Sequence, residues 1–303
     1  MAMTYRRGIG KRRKGLFDFA CTVPALIFFV LFTYYPIMEL FRISLTDWNL
    51  SRATYSYVGL KNYQWLFAGR GLKPFLSSLR ITALYTLGEV LMALVGGLLL
   101  ALLFDRMTGW FGAMRVAVVM PKYILVSSTA LVFMWLYNDL YGVFNYGLSL
   151  LGLSGVNWLG SRDTALLSLI LFSGWRTMGY AMLIYLSAIK GISVQYLEAA
   201  SIDGANGFQQ LIHIKLPLLA PTTLFLVVTT VVSSMKVFQA VDILTLGGPY
   251  ESTMVLVYQI YRLAFADHRL DRAAAVGCVF FVILLAFTAV TMKWSNHKVN
   301  YDA

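Results

Sequence analysis

Six predominantly apolar runs, each of about twenty residues or more, constrain this chain more than any other feature. They cover residues 16–38, 79–104, 113–137, 165–188, 216–235 and 273–292. A helix needs roughly 20 such residues to cross the hydrocarbon of a bilayer. Each run is bounded by charge, Gly or Pro, the residues that punctuate helices. The apolar content is 59% and only 13% of residues are charged. A soluble domain carries about twice that charge and could not hide so much apolar side chain in one core. A soluble enzyme and a disordered chain are therefore excluded. No alternation in segments of about ten residues suggests an outer-membrane barrel. The expected fold class is all-α: a polytopic membrane protein with six transmembrane helices.

The net charge of +11 is concentrated, and its position carries meaning. Arg6, Arg7, Lys11, Arg12, Arg13 and Lys14 precede the first run. The tail and the loops that share its side are about twice as dense in Lys and Arg as the opposite loops, which places both termini in the cytoplasm. A basic tail beside a span reads as an orientation signal and a contact with anionic lipid, not as a nucleic-acid site. The first run is too long for a signal-peptide core and has no small-residue cleavage pattern after it, so it reads as a retained anchor. The chain thus divides into a basic tail over 1–15, a membrane domain over 16–292 and a tail over 293–303. Outside loops cover 46–78, 138–164 and 236–272. The inside loops are 105–112 and 189–215. Cys21 and Cys278 lie in apolar runs and can make neither a disulfide framework nor a metal centre.

The second inside loop is the most unusual stretch. It reads KGISVQYLEAASIDGANGFQQLIHIK and continues into LPLLAP. Ser193 is placed to cap a short helix carrying Tyr196, Leu197, Ala200 and Ile202, with Glu198 on its rim. Asp203-Gly204 breaks it, because Gly tolerates the left-handed backbone that ends helices. Phe208, Leu211, Ile212 and Lys215 form a second short helix, and Pro217 and Pro221 open the fifth span. Two helices meeting at a Gly elbow expose apolar side chains that the bilayer does not need. A partner surface and a helix lying on the headgroups fit this pattern equally well.

Glu198, Ala199, Ala200, Asp203, Gly204, Ala205, Ile214, Leu216 and Pro217 together resemble the EAA loop of ABC-importer permeases. Nine matches at fixed spacing make the resemblance specific. It implies a type I importer permease in the bacterial cytoplasmic membrane, whose loop forms coupling helices seated in a groove of an ATPase subunit. It also implies that Glu198 is the docking charge, Gly204 the elbow and Phe208 the apolar plug, with Phe where the family often has Trp. Leu244, Thr245, Gly247, Gly248, Pro249, Tyr258, Ile260, Tyr261, Ala264 and Phe265 are similar to the turn and following segment of the carbohydrate-uptake branch. VGLKNYQWLF at 58–67 resembles that branch too. The basic tail and YYPI at 34–37 look most like the maltose-type F or glycerol-phosphate-type A subunit. The maltose-type pattern also has two further N-terminal spans and a large outside insert, without counterpart here, so the substrate is not carried over.

A transporter needs polar groups facing a cavity at mid-membrane. In the fourth span Ser173, Arg176, Thr177 and Tyr180 fall at i, i+3, i+4 and i+7, one face of a helix. In the fifth, Thr230 and Ser234 share a stripe with Thr223, and Thr229, Ser233 and Lys236 form another. The resemblance implies that Tyr180 touches substrate. Ser and Thr in such helices also bond their own backbone. Glu89, on one face of span two with Thr82 and Thr86, is the sole central carboxylate and a candidate partner for Arg176. Arg176 and Lys236 lean toward an acidic ligand.

The chain has no phosphate-binding Gly-x-x-x-x-Gly-Lys-Ser/Thr loop. The resemblance therefore implies that ATP and Mg sit on a separate ATPase, with no cofactor or metal bound here. It further implies a second homologous permease, an extracytoplasmic solute-binding protein and a carbohydrate substrate. His213, His268 and His297 lie in loops or tails, which leaves no Ser–His nucleophile in the membrane. The alternative is an ion-driven secondary transporter of a small polar solute, a class marked by inverted repeats and paired broken spans that this sequence does not show.

Overall fold

Inside hydrocarbon a backbone amide finds no water, so a spanning segment must satisfy its hydrogen bonds internally. The computed structural model describes residues 18–19, 21–52, 54–105 and 111–298. Among them the secondary structure is helical, apart from one isolated antiparallel bridge between Thr46 and Tyr57. The basic tail over 1–15 lies outside the described residues, as do 106–110 of the first inside loop.

Four helices are long and apolar enough to cross a bilayer: α1 (Cys21–Ser44), α3 (Leu72–Asp105), α7 (Ala165–Gly191) and α13 (Leu270–Lys298). A short α2 (Lys61–Ala68) lies between the first two. The expected boundaries shift accordingly. The helix expected at 79–104 starts at Leu72, about two turns earlier, and the one expected at 273–292 is longer at both ends. The first span extends six residues beyond 38, because Pro36 sits just after a π turn at Val30–Tyr34 that absorbs its missing N–H donor.

Two of the expected spans are broken. The run 113–137 forms α4 (Phe111–Tyr123) and α5 (Val126–Leu136), bent by 101°. Pro121 weakens the last turn of α4, and Leu125 is extended. The run 216–235 is α9 (Gly207–Leu218) bent by 62° into α10 (Ala220–Met235). There Pro217 and Pro221 flank the break at Leu219.

α7 is the central helix. Two apolar clusters form along it. One joins Phe133, Tyr137, Leu169 and Phe172 to Val241 and Tyr258. The other joins Ala93, Phe104 and Val119 to Met182, Tyr185 and Leu226. Small residues let backbones approach, the usual means of packing in a membrane. A Cβ on Gly179 would stand 2.1 Å from the Val118 carbonyl oxygen. α1 contrasts with α7: its most apolar window buries none of its residues, and Phe28, Phe32 and Met38 are exposed.

The connections are built on single amides. The Asn62 amide donates to the Ser44 and Thr46 carbonyls at 2.9 and 2.7 Å, closing the end of α1. Asn145, in α6 (Val143–Leu150), makes four hydrogen bonds to Asp139, Val156 and the Trp158 indole. Ser56 donates to both Asp47 carboxylate oxygens, which holds that carboxyl below its usual range. α11 (Gln239–Leu244) and α12 (Leu256–Tyr261) flank the Gly-Gly-Pro turn. The Leu256 amide donates to Thr82 Oγ1 at 2.8 Å, tying that turn to α3.

Gly179→Leu should lower the melting temperature of the detergent-purified protein by several degrees, the overpacking cost being about 1–3 kcal/mol. Gly96→Ala, where a Cβ meets only Met178 at 3.4 Å, should be tolerated in the same thermal-shift measurement.

Candidate functional site

A cavity of about 320 Å³ opens where α4 breaks into α5. α3 contributes Tyr85 and Glu89, α7 contributes Phe172, Ser173, Arg176 and Thr177, and α10 ends at it with Ser233 and Lys236. Lys122 and Val126 come from the two sides of the break.

Arg176 explains how a break is tolerated there. The last carbonyls of a helix have no intrahelical donor. Arg176 Nη2 donates to the Ile124 carbonyl at 3.0 Å, with a longer contact of 3.5 Å to that of Lys122. Its Nη1 donates to Thr129 Oγ1 on α5. One guanidinium thus joins α7 to both halves of the broken helix, with its charge 5.7 Å above the Phe172 ring. Among the described residues no ion pair joins it to Glu89. Glu89 Oε1 accepts instead from the Thr177 hydroxyl at 2.8 Å. Tyr85 donates to Ser173 Oγ at 2.6 Å, a second link from α3 to α7.

Of the residues expected on the translocation face, Ser173, Arg176 and Thr177 line this cavity. Tyr180 is not among the lining residues; it meets the cavity through Lys122, whose ammonium lies 5.9 Å from its ring centre. Thr230 and Ser234 are buried away from it, and Ser234 donates to the Thr230 carbonyl at 2.7 Å within its own helix. The other stripe, through Ser233 and Lys236, reaches the cavity. The broken span also brings in Lys122, for which the sequence holds one signal: a Pro-Lys pair inside an apolar run.

At the far end of α7 stands the elbow. About 22 Å of helix separates Arg176 from Gly191. α8 (Val194–Ile202) ends in a Schellman motif: Gly204 has φ of +82°, its amide donates to Ser201, and that of Ala205 to Ala200. Asn206 then caps α9 reciprocally with Gln209, a capping box the reading of the loop above does not include. Ser193 holds the N-cap position of α8 without a side-chain bond. Ile202 and Phe208 are 86% and 69% exposed, and Glu198 is exposed on the rim. Ala200, Asp203, Gly204, Ala205 and Ile214 border a second hollow of about 390 Å³. Lys215 pairs with Asp105 at 3.6 Å, fastening α9 to the end of α3. Leu216 and Pro217 form the last turn of α9 before the 62° bend. Ala199 is exposed beside Glu198.

The family model described as "Binding-protein-dependent transport system inner membrane component" matches residues 1–299. A probable ABC transporter permease of Bacillus subtilis (strain 168), YurN, is 35% identical over 276 residues, covering 90% of this chain and 93% of that protein. The trehalose/maltose transport system permease protein MalF of Thermococcus litoralis is 30% identical, covering 93% and 95%. A crystal structure of a bacterial alginate ABC transporter, in complex with an alginate pentasaccharide-bound periplasmic protein, contains a chain of 25% identity. It superimposes with a TM-score of 0.81, covering 95% of this chain and 96% of that one.

Arg176→Met should leave the Ile124 carbonyl and Thr129 without their donor and destabilise the fold by about 1–3 kcal/mol. Thermal unfolding of the purified protein checks this, and Arg176→Lys, which cannot span three acceptors, should recover only part of the loss.

Proposed function

This chain belongs to the family of binding-protein-dependent transport system inner membrane components, and we propose that it serves as one permease subunit of a carbohydrate importer. The solute, a sugar or oligosaccharide, is delivered by an extracytoplasmic binding protein. A second, homologous permease completes the pore. ATP and Mg are held by separate ATP-binding-cassette subunits, and this chain binds no cofactor. The fold supports six crossings of the bacterial cytoplasmic membrane, each bent pair counting as one, and the Lys/Arg bias supports cytoplasmic termini. In that orientation α8 and α9 face the cytoplasm.

One observation carries the reading. Two of the helices that line the cavity, α7 and α10, flank the elbow, α7 directly before it and α10 after the bend from α9. A push on the exposed Ile202–Phe208 surface therefore reaches Arg176 along α7, and Ser233 through α9 and the 62° bend into α10. Glu198 supplies a docking charge and Phe208 an apolar plug, while Asp203-Gly204-Ala205 holds their relative angle. Ile214, Leu216 and Pro217 pass the motion into α10. ATP binding closes the ATPase dimer, the helices tilt as rigid bodies, and the cavity changes the side to which it opens. The cycle turns only because the two states bind nucleotide, binding protein and solute with different affinity. The carbohydrate assignment is supported by relatives named for maltose, trehalose and alginate. At the cavity, Ser173, Thr177 and Ser233 offer hydroxyls, and Phe238 offers an apolar ring face, the combination that sugar sites use. Tyr180 acts there through Lys122.

Glu198→Ala should abolish stimulation of ATP hydrolysis by loaded binding protein in the complete importer while the protein still reaches the membrane. Normal stimulated hydrolysis would remove the elbow from the mechanism. Gly204→Val should act in the same assay, because a β-branched residue at φ +82° costs at least about 1–2 kcal/mol and opens the Schellman turn.

A further inference from the structure

The cavity at the break between α4 and α5 carries more positive charge than its own groups neutralise. Arg176, Lys122 and Lys236 line it, against the single carboxylate of Glu89. Among the described residues none of the three forms an ion pair. Arg176 is held by two carbonyls and a hydroxyl, all neutral, and its charge is met only by the Phe172 ring face and, beyond ion-pair distance, by Glu89. Glu89 is turned to the Thr177 hydroxyl.

Helix ends have to be counted too. Lys122 stands in the last turn of α4 and Lys236 caps the C-terminus of α10. Each of those ends contributes about half a negative charge. The N-terminus of α5, where Val126 lines the cavity, returns about half a positive one. The surplus is between one and two positive charges, in an open polar hollow where Lys236 is exposed and Lys122 half-buried. An open hollow with that surplus draws anions toward its wall.

Resting on the reading of this chain as a carbohydrate importer subunit, we propose that the solute it carries is anionic: a saccharide bearing carboxylate or phosphate groups, met by the Lys122 and Lys236 ammonium groups. Phe238, half-buried at the cavity wall, contacts its apolar face, and Ser173 and Ser233 its hydroxyls. Lysine is a mobile point charge and suits either anion, whereas the guanidinium of Arg176 is fixed by the backbone of the break.

The test uses the complete importer, with both permeases, ATPase and binding protein, in proteoliposomes. Hydrolysates of pectin, starch and xylan, together with glycerol 3-phosphate and hexose phosphates, are each split on anion-exchange resin into retained and unretained fractions. Stimulation of ATP hydrolysis and uptake are measured for each. Activity confined to retained fractions is expected, and its loss or survival after phosphatase treatment tells phosphate from carboxylate. Activity in the unretained, neutral fractions alone overturns the proposal and leaves the importer reading intact. Activity in no fraction overturns the carbohydrate reading, and the proposal with it. With the active fraction as probe, Lys122→Gln and Lys236→Gln should each raise the apparent KM about ten- to hundred-fold, as loss of a charge-assisted hydrogen bond implies, with kcat less affected. Arg at either position should restore most of the affinity. An unchanged KM in both Gln variants, at normal assembly in the membrane, would also overturn the proposal.

Discussion

Every backbone amide and carbonyl inside a bilayer must be answered by the protein itself, and the two places where this chain breaks a helix at membrane depth are where that demand is hardest to meet. At the break after α4 the answer is Arg176. Its guanidinium takes the Ile124 carbonyl and Thr129 from one helix pair while anchored on α7. A straight third span would have needed no such residue and would have left no cavity. The polar hollow, the buried cation and the two lysines beside it all follow from tolerating that break. At the second break, flanked by Pro217 and Pro221, Thr223 carries the local load: it bonds the Leu219 carbonyl and meets Tyr185 at 3.1 Å.

These breaks also decide how the molecule can move. α7 is continuous from the cavity to the elbow, so it transmits displacement as a rod. α9 and α10 meet at a 62° bend, so they convert a push along the surface into a tilt. The elbow itself is stiffened at both helix ends, by a Schellman turn at Gly204 and a reciprocal cap at Asn206, and is tied to α3 through Lys215 and Asp105. A stiff elbow with exposed apolar tips suits the transfer of force between proteins better than a helix resting on headgroups, which needs no such bracing.

Much of this was legible in the residues. The apolar runs locate the membrane helices, with ends displaced by up to about two turns, because hydrocarbon imposes a length and a composition. Asp203-Gly204 announces its turn, since few other pairs accept a left-handed position so readily. The breaks were harder. Pro121 marks a weak turn, but whether a proline kinks a helix or ends it depends on the neighbour that receives the freed carbonyls, and Arg176 lies more than fifty positions away. Which of the two polar stripes of the fifth run borders the cavity could not be read for the same reason. Thr230–Ser234 and Ser233–Lys236 are equally periodic, and only the packing of α10 against α3 and α7 decides which one faces the cavity. Asn62 and Asn145 likewise look ordinary until the carbonyls they bridge are brought together.

The central claim is that nucleotide binding on a partner subunit reorients a cavity far from it through the elbow. Ser233, exposed on the cavity wall, offers a direct probe. In the complete importer with Cys21 and Cys278 replaced by Ser, a Ser233→Cys variant is treated with a membrane-impermeant maleimide from each side in turn, with and without ATP. Labelling from the cytoplasmic side without nucleotide, and from the opposite side with ATP and loaded binding protein, is the expected result. Labelling from the same side in both conditions would contradict the account.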